Sequence, residues 1–304
     1  MKELSIMDRR AFIKSSLVGA GALALPKLTI SSRAAAPKKA AVLKLGSQES
    51  KLPGASLKEK VANLEKWGGC GLELHGNPAT RIAEIKDAIK GTTVRVSALC
   101  WGSCKGDLVS PDLEKRKQGI QQIKDALDTA GELESTGVIF VPCFHKQSDL
   151  KPAELDQILF DILPGIGDHA VKRGTRVLLE PLTKLETFYI NRIEQAAAIC
   201  AKVNHPGICL MGDFYHMSRE ETDQTQAFVT GGPWLHHVHL ATGKTRILPG
   251  LEPHSYVEGF KGLKKVGYQD YCSIECAIKK GTDPAVAIPQ AFDFLRQQWK
   301  EATI

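Results

Sequence analysis

The sequence lacks several features that would assign it to a common functional class. It contains eight cysteines but no C-x-x-C pair. No G-x-G-x-x-G loop follows the first predicted strand, so an open sheet that binds a nucleotide is disfavoured. The basic residues form no stripe of the kind that binds a phosphate backbone. Nucleic acid is therefore not expected as a partner.

The N-terminal segment carries export features instead of a membrane span. Arg9 and Arg10 precede Phe12, and the apolar run over residues 16–26 is too short to cross a bilayer comfortably. This pattern predicts a twin-arginine signal peptide over residues 1–34 and folded export to the periplasm, with no stable membrane insertion after processing. No cysteine in this segment could carry a lipid.

Most of the apparent basicity belongs to that signal. The whole chain has a formal net charge of +6, and residues 1–34 contain six basic and two acidic residues. The remainder therefore has a net charge of +2. Because a chain that folds before export has no need of disulfides, the cysteines are interpreted as buried small hydrophobes. Two close pairs, Cys100 with Cys104 and Cys272 with Cys276, are the exceptions that could form a bridge.

Short apolar segments and amphipathic stretches alternate through residues 37–304. This alternation predicts an α/β protein with one (β/α)₈ TIM barrel. The predicted strands cover residues 41–46, 71–76, 93–102, 137–143, 176–182, 207–213, 235–241 and 271–277. Helices are predicted at 57–67, 113–133, 155–171, 193–203, 257–266 and 284–299. Glycines that end helices are predicted at Gly68, Gly91, Gly174 and Gly267.

Acidic or histidine side chains stand at the ends of four successive predicted strands. They are Glu180, Asp213, His239 and Glu275. Taken singly, such a residue is more often a helix cap or a loop contact. The four together would meet at the carboxyl end of the barrel, where (β/α)₈ enzymes place their chemistry. Three carboxylates and one imidazole suit one divalent metal ion, with Mn²⁺ favoured and Mg²⁺, Co²⁺ or Zn²⁺ as alternatives.

At these residues the chain resembles the sugar phosphate isomerase/epimerase family, the xylose isomerase-like TIM barrels that include ketose 3-epimerases, hydroxypyruvate isomerase and inosose dehydratase. The resemblance is carried by Leu179-Glu180-Pro181-Leu182 with Glu186, Gly212-Asp213-Phe214-Tyr215-His216, His237-Val238-His239 with Arg246, and Ser273-Ile274-Glu275. It implies that Glu180, Asp213, His239 and Glu275 hold the metal.

The resemblance also implies catalytic and substrate-binding roles. Glu180 and Glu275 would transfer the proton on opposite faces of the substrate while they bind the metal. His216, Glu186 and Arg246 would contact the substrate. An alternative for His216 is that it orients Asp213.

Three further residues are weaker candidates for substrate binding. Glu73 ends the second predicted strand and Trp101 lies at the end of the third, so both would face the same mouth of the barrel. Glu73 would contact either a metal ligand or the substrate, and Trp101 would offer an apolar platform for a sugar ring. Core or rim packing explains each of them equally well. His237 lies on the same side of its strand as His239.

The function implied is a metal-dependent isomerase or epimerase that acts on a non-phosphorylated sugar or keto-sugar through an enediolate. The alternative is a lyase or hydratase that acts on 3-keto sugars or 3-keto-glycosides by β-elimination. A metal-dependent endonuclease and a non-catalytic sugar-binding barrel are weaker alternatives. The expected partners are a sugar substrate and an oxidoreductase that produces the keto-sugar. The sequence leaves the oligomeric state open, a homo-oligomer included.

Overall fold

A computed structural model describes residues 40–304 of the chain. In this range eight parallel strands form a closed barrel in chain order, and the last strand pairs with the first. The strands are β1 Lys44–Gln48, β2 Gly71–His75, β3 Arg95–Gly102, β4 Val138–Phe140, β5 Val177–Leu179, β6 Ile208–Asp213, β7 Leu235–Leu240 and β8 Tyr271–Ile274. The predicted (β/α)₈ barrel is confirmed. The signal peptide predicted for residues 1–34 lies outside the described residues and stays a prediction.

Helices surround the barrel. The α-helices are α1 Leu57–Lys66, α2 Ile82–Ile89, α3 Leu113–Glu132, α4 Pro152–Lys172, α5 Ile193–Val203, α6 Phe214–Glu220, α7 Gln224–Gly231, α8 Val257–Val266 and α9 Pro284–Glu301. The sequence pattern gives no bounds for α2, α6 or α7, although the predicted terminal glycine Gly91 implies a helix where α2 lies. The four glycines predicted to end helices all have φ between 70° and 78°. Across residues 40–304, no helix combines the length and the apolar character that a membrane crossing requires.

The apolar core has two parts, one on each side of the sheet. The larger part packs between the outer face of the strands and the helices. The smaller part lies inside the barrel along β3 to β6 and consists of Ala98, Cys100, Ile139, Leu178, Cys209 and Met211. The interior beside β1, β2, β7 and β8 is instead polar, because Gln48, Glu73, His237 and Ser273 are buried there. This polar half leads to the mouth of the barrel.

The first strand starts later than the prediction. The apolar run predicts a strand over residues 41–46, whereas β1 is Lys44–Gln48. Ala41 and Leu43 pack on the core from outside the strand. The strand continues through the polar residues Ser47 and Gln48 because both are buried. Hydrophobicity alone therefore misplaces this strand.

All eight cysteines lie in the described part of the chain and are free. The two close pairs named above form no disulfide. Cys70 and Cys104 are half-buried and the other six are buried. The interpretation of the cysteines as buried small hydrophobes is therefore confirmed for six of the eight.

Close approach of β1 to its neighbours predicts a sensitive position at Gly46. A Cβ atom there would lie 2.6 Å from the Gly71 carbonyl oxygen and 2.9 Å from Ser273 Oγ. We expect Gly46→Ala to lower the free energy of unfolding by about 1–3 kcal/mol, measured by chemical denaturation. Gly165→Ala is the control, because a Cβ at this position in α4 meets no atom within 4 Å. Equal stability of the two variants would contradict the crowding argument.

Candidate functional site

The four predicted strand-end residues come together at one mouth of the barrel. Asp213 is the last residue of β6, and it pairs with His239 on β7. Glu180 and Glu275 each follow a strand and extend its ladder by one bond. The Glu180 amide donates to the Phe140 carbonyl at 3.0 Å, and the Glu275 amide donates to the Leu240 carbonyl at 3.2 Å. The backbone of the barrel therefore determines where all four side chains start.

Their ligand atoms lie within 4.8 Å of one another. His239 Nδ1 is 3.0 Å from Glu275 Oε2 and 3.5 Å from Glu180 Oε1. Glu180, Asp213 and His239 are buried, and the Glu275 side chain is 19% exposed. The cluster is thus accessible only at its outer edge, on the Glu275 side. Asp213 also caps α6, because its Oδ1 accepts from the Tyr215 amide at 2.8 Å.

A contact deeper in the barrel interior determines the orientation of the His239 ring. His239 Nε2 lies 2.9 Å from Glu73 Oε2, and His237 Nε2 lies 2.8 Å from the same oxygen. Since β2 and β7 are not adjacent, these bonds cross the interior of the barrel. Both Nε2 atoms therefore donate to one carboxylate, and His239 Nδ1 faces Glu180 and Glu275.

These residues fit a divalent metal ion. His239 Nδ1 is buried and has no hydrogen-bond partner among the described residues. Three carboxylates and one imidazole nitrogen form the oxygen-rich set that Mn²⁺, Mg²⁺ and Co²⁺ accept and that Zn²⁺ tolerates. A carboxylate on the distal nitrogen of a ligand histidine is the usual means of orienting such a ligand. Glu180, Asp213, His239 and Glu275 would be the ligands.

The pKa values of the cluster reflect dense negative charge in a buried space. Burial alone would lower the pKa of His239, but the carboxylates of Glu275 and Glu73 outweigh it and raise that pKa well above the usual range. A metal ion would have to displace the imidazole proton, so metal affinity should increase with pH. Burial alone would raise the pKa of Glu73, but His239 and His237 hold that pKa at about 2. Burial lowers the pKa of His237, which favours the neutral ring.

Glu180 and Glu275 have opposite pKa shifts. Burial raises the pKa of Glu180, although the contact with His239 opposes this effect. Burial would also raise the pKa of Glu275, but His239 and Arg246 reverse the effect and place it well below the usual range. Two carboxylates whose pKa values are driven apart are typical of an acid and base pair. Of the two carboxylates, Glu180 therefore holds a proton more readily than Glu275.

The predicted substrate contacts lie on the segments that follow β5, β6 and β7, and they form a second layer above the cluster. His216 is buried, with its Nδ1 accepting from the Thr183 amide at 3.1 Å and its Nε2 at 3.4 Å from Asp213 Oδ2. Glu186 Oε1 lies 4.0 Å from His216 Nδ1 and 3.7 Å from Arg246 Nη1. Arg246 Nη2 donates to Asp213 Oδ2 at 2.9 Å. His216 Nε2 therefore faces Asp213, and the predicted contacts of His216, Glu186 and Arg246 with a substrate stay predictions.

The three weaker candidates are placed differently from one another. Glu73 and His237 are fully buried beneath the cluster, where they contact His239 and each other. This placement favours orientation of the ligand histidine over direct substrate binding. Trp101 is half-buried at the end of β3, and its ring centroid is 6.2 Å from that of Phe140. Its role as a platform for a sugar ring stays a prediction.

Two residues at the site were not identified from the sequence. Gln48, at the end of β1, donates from Nε2 to Glu73 Oε1 at 2.9 Å and to Glu275 Oε1 at 3.1 Å. The Cys100 thiol on β3 lies 3.8 Å from Glu275 Oε1. The polar ending of β1 was the only available signal for Gln48. Cys100 stands in an apolar run, which offers no signal of a role at the site.

Comparison with known proteins agrees with the barrel fold. Residues 61–298 match the family model described as xylose isomerase-like TIM barrel. A 3-dehydro-D-guloside 4-epimerase from Escherichia coli (strain K12) is 30% identical over 266 residues, which cover 84% of this chain and 99% of that protein. A probable ketose 3-epimerase from Synechocystis sp. (strain ATCC 27184 / PCC 6803 / Kazusa) is 28% identical over 218 residues, covering 70% of this chain and 76% of that protein.

A solved structure supports the same relationship. The apo crystal structure of a 3-keto-D-glucoside 4-epimerase from E. coli superposes with a TM-score of 0.75 at 27% sequence identity. The match covers 84% of this chain and all of that chain. The shared region therefore includes the whole barrel of the relative.

The bond between Glu73 and His239 predicts a role for Glu73 in metal affinity. We expect Glu73→Gln to weaken Mn²⁺ binding by about 10- to 100-fold, because the neutral amide orients and polarises His239 less well. Calorimetric titration of both proteins would measure the change. Asp270→Asn is the matched control. Asp270 lies 2.7 Å from Nδ1 of His236, which is on the same strand as His239 but away from the cluster. Equal losses in the two variants would contradict the proposed role.

Proposed function

Since the chain belongs to the xylose isomerase-like TIM barrel family and is an enzyme of its sugar isomerase and epimerase group, we propose that it is a metal-dependent epimerase of a non-phosphorylated keto-sugar. The reaction inverts a carbinol carbon next to the ketone. The enzyme removes the C–H proton on one face and returns a proton on the other. The intermediate is the enediolate of the substrate.

The observation that carries this proposal is the paired geometry of Glu180 and Glu275. Both carboxylates face His239 Nδ1, and their pKa values are shifted in opposite directions. One of the two carboxylates would accept the carbon-bound proton, and the other would return a proton from the opposite face. Reversal of the roles gives the reverse reaction.

A divalent ion bound by Glu180, Asp213, His239 and Glu275 would neutralise the negative charge that develops on the substrate oxygens. Mn²⁺ is the proposed ion, because three of the four side chains offer hard oxygen ligands. Gln48 would keep one oxygen of Glu275 in a hydrogen bond, so that the other oxygen stays directed into the site.

The layer above the cluster would bind the sugar. His216 Nε2 and the Arg246 guanidinium lie beside Asp213, and Glu186 lies beside both side chains. Together they offer donors and an acceptor for neighbouring substrate oxygens. Specificity would depend on these hydroxyl contacts, because a polar group left unpaired in a buried site is costly.

A keto-sugar substrate is favoured by the names of the relatives. One acts at carbon 4 of a 3-dehydro sugar and the other at carbon 3 of a ketose. In both cases the inverted carbon is next to the ketone. We propose a 3-keto-glycoside as the substrate, which an oxidoreductase of the same compartment would supply.

The charges near the late loops favour a substrate without phosphate. Arg246 contacts carboxylates, and Lys184 Nζ lies 3.7 Å from Glu220. Arg219 donates to the carbonyl oxygens of Gly243 and Lys244. These cations are already engaged with the protein. A phosphate group would have to compete with those partners.

We also propose a periplasmic location, reached by folded export. The support is the N-terminal sequence, with Arg9 and Arg10 followed by a short apolar run. An enzyme exported to the periplasm would meet sugars without phosphate, because phosphorylated sugars are products of cytoplasmic kinases.

The mechanism is tested by isotope exchange with single variants. In D₂O the native enzyme should place deuterium at the inverted carbon of a 3-keto-glycoside. Glu180→Gln and Glu275→Gln, saturated with Mn²⁺, should each lower kcat by about 10²- to 10⁴-fold. Each variant should still exchange the hydrogen of one epimer without inverting it, and the two variants should differ in which epimer they exchange. NMR of the recovered sugars measures both effects.

Glu84→Gln is the control for a lost surface carboxylate, because Glu84 pairs with Arg81 on the surface. It should keep native activity. Full retention of the substrate hydrogen in the product would instead indicate a hydride shift and refute the two-carboxylate mechanism. Release of a β-substituent with loss of that hydrogen would indicate the lyase alternative.

The location is tested by changing the arginine pair. Substitution of Arg9 and Arg10 by lysine should leave the precursor in the cytoplasm, folded and able to bind metal, because the signal is not part of the barrel. Arg33→Lys, the same change outside the pair, should leave export unchanged. Cell fractionation and immunoblotting measure the outcome. Normal export in a strain without the twin-arginine translocase would refute the proposed route.

A further inference from the structure

The Arg246 guanidinium lies directly on two of the four carboxylate and imidazole ligands. Its Nη2 donates to Asp213 Oδ2 at 2.9 Å and to Glu275 Oε2 in a second, short contact. Glu275 Oε2 is the same atom that lies 3.0 Å from His239 Nδ1. The guanidinium therefore occupies oxygen atoms that belong to the proposed metal cluster. A metal ion on those atoms would lie close to this cation, and repulsion between the like charges would weaken the hold of each on the shared carboxylates.

The backbone of Arg246 is anchored, so only its side chain can move away. The Arg246 carbonyl accepts from the Ala277 amide at 2.8 Å, and Ile247 forms a parallel bridge with Ala277. The Ile247 amide also donates to Thr242 Oγ1 at 3.0 Å. The residue itself has φ of 54°, a left-handed conformation that these contacts stabilise.

Glu186 lies near the other terminal nitrogen of the same guanidinium and offers it an alternative partner to Asp213 and Glu275. Its Oε1 lies 3.7 Å from Arg246 Nη1, and its side chain is 34% exposed at the mouth. The Tyr215 ring lies beneath the guanidinium, with the Arg246 Cζ atom 4.8 Å from the ring centroid. A rotation over this ring would carry the charge from Asp213 and Glu275 to Glu186 while the cation–π contact is kept.

We propose that Arg246 is an internal cation that competes with the metal ion for Asp213 and Glu275, and that Glu186 accepts the guanidinium when the metal ion binds. This inference rests on the metal site of the proposed function. It adds a coupling that the ligand set alone does not imply. Metal binding would place Arg246 at the mouth beside Glu186, where it can contact the sugar.

The coupling has a thermodynamic consequence for the substrate. If metal binding releases Arg246 toward the sugar, a bound sugar that holds Arg246 must in turn favour metal binding by the same factor. Arg246 would therefore add to the cooperativity that the contact between the metal ion and the substrate oxygens already provides. Removal of the guanidinium should reduce this cooperativity.

The test measures Mn²⁺ affinity by competition with a chelating dye, without any assay of turnover. Arg246→Met should bind Mn²⁺ at least about fivefold more tightly than the native protein, because the competing cation is gone. Glu186→Gln should bind Mn²⁺ several-fold more weakly, because the displaced guanidinium loses its acceptor. In the Arg246→Met background, Glu186→Gln should have no further effect on the affinity.

Lys184→Met is the control for loss of one positive charge at the same face, since its side chain is 74% exposed and pairs with Glu220. It should leave Mn²⁺ affinity unchanged. Arg246→Gln is a second neutral variant with the same expected gain, and thermal melting of each protein confirms that it is folded.

Two results would overturn the competition. One is an unchanged or weaker Mn²⁺ affinity in both folded Arg246 variants. The other is an effect of Glu186→Gln that is equally large with and without Arg246, because a general charge effect would then explain it. If the native protein binds no divalent ion, the proposed metal site fails together with the inference. If the native protein binds Mn²⁺ but neither neutral variant binds it more tightly, only the inference fails.

Discussion

Burial of several carboxylates at one end of the barrel is the constraint on which the rest of the site depends. Glu73, Glu180 and Asp213 are almost entirely buried, and Glu275 is exposed only at its edge. Buried anions are stable only when hydrogen bonds and opposite charges compensate for lost hydration. His239 and Arg246 provide positive charge, and Gln48 provides neutral donors. A divalent ion would add the charge that this set lacks.

The interior of the barrel is divided to meet this constraint. Beside β3 to β6 the interior is filled by apolar side chains such as Ile139, Leu178 and Met211, which form a rigid wall. Beside β1, β2, β7 and β8 the interior contains Glu73 and His237. Glu73 accepts hydrogen bonds from both His237 and His239, so the contacts that orient His239 extend into the barrel. His239 is thus held by a polar column, while the opposite wall of the barrel interior is apolar. Both properties favour a site with fixed geometry.

The sequence was sufficient for those parts of the site that repeat with the fold. Glu180, Asp213, His239 and Glu275 follow apolar runs, and parallel strands in a barrel bring such positions to one mouth. Gln48 could not be found in this way, because β1 is displaced from the apolar run and a glutamine has no characteristic spacing. The bond between Glu73 and His239 joins strands that are not neighbours, and only the closed barrel brings them together. Helices α6 and α7 were missed because they are short and their apolar faces cover a part of the barrel that the sequence pattern does not reveal.

An internal cation also bears on how such a site can fold. If only carboxylates lined the mouth of the barrel, they would repel one another until a metal ion bound. Folding would then depend on the supply of metal. With Arg246 on Asp213 and Glu275, the barrel can close first and accept the ion afterwards. This order would suit the proposed export in the folded state, because folding and metal loading would become separate steps. The cost is a weaker affinity for the metal ion, and it is offset when the released guanidinium contacts the substrate. The same arginine would therefore compensate the carboxylates before the metal ion binds and help to bind the sugar afterwards.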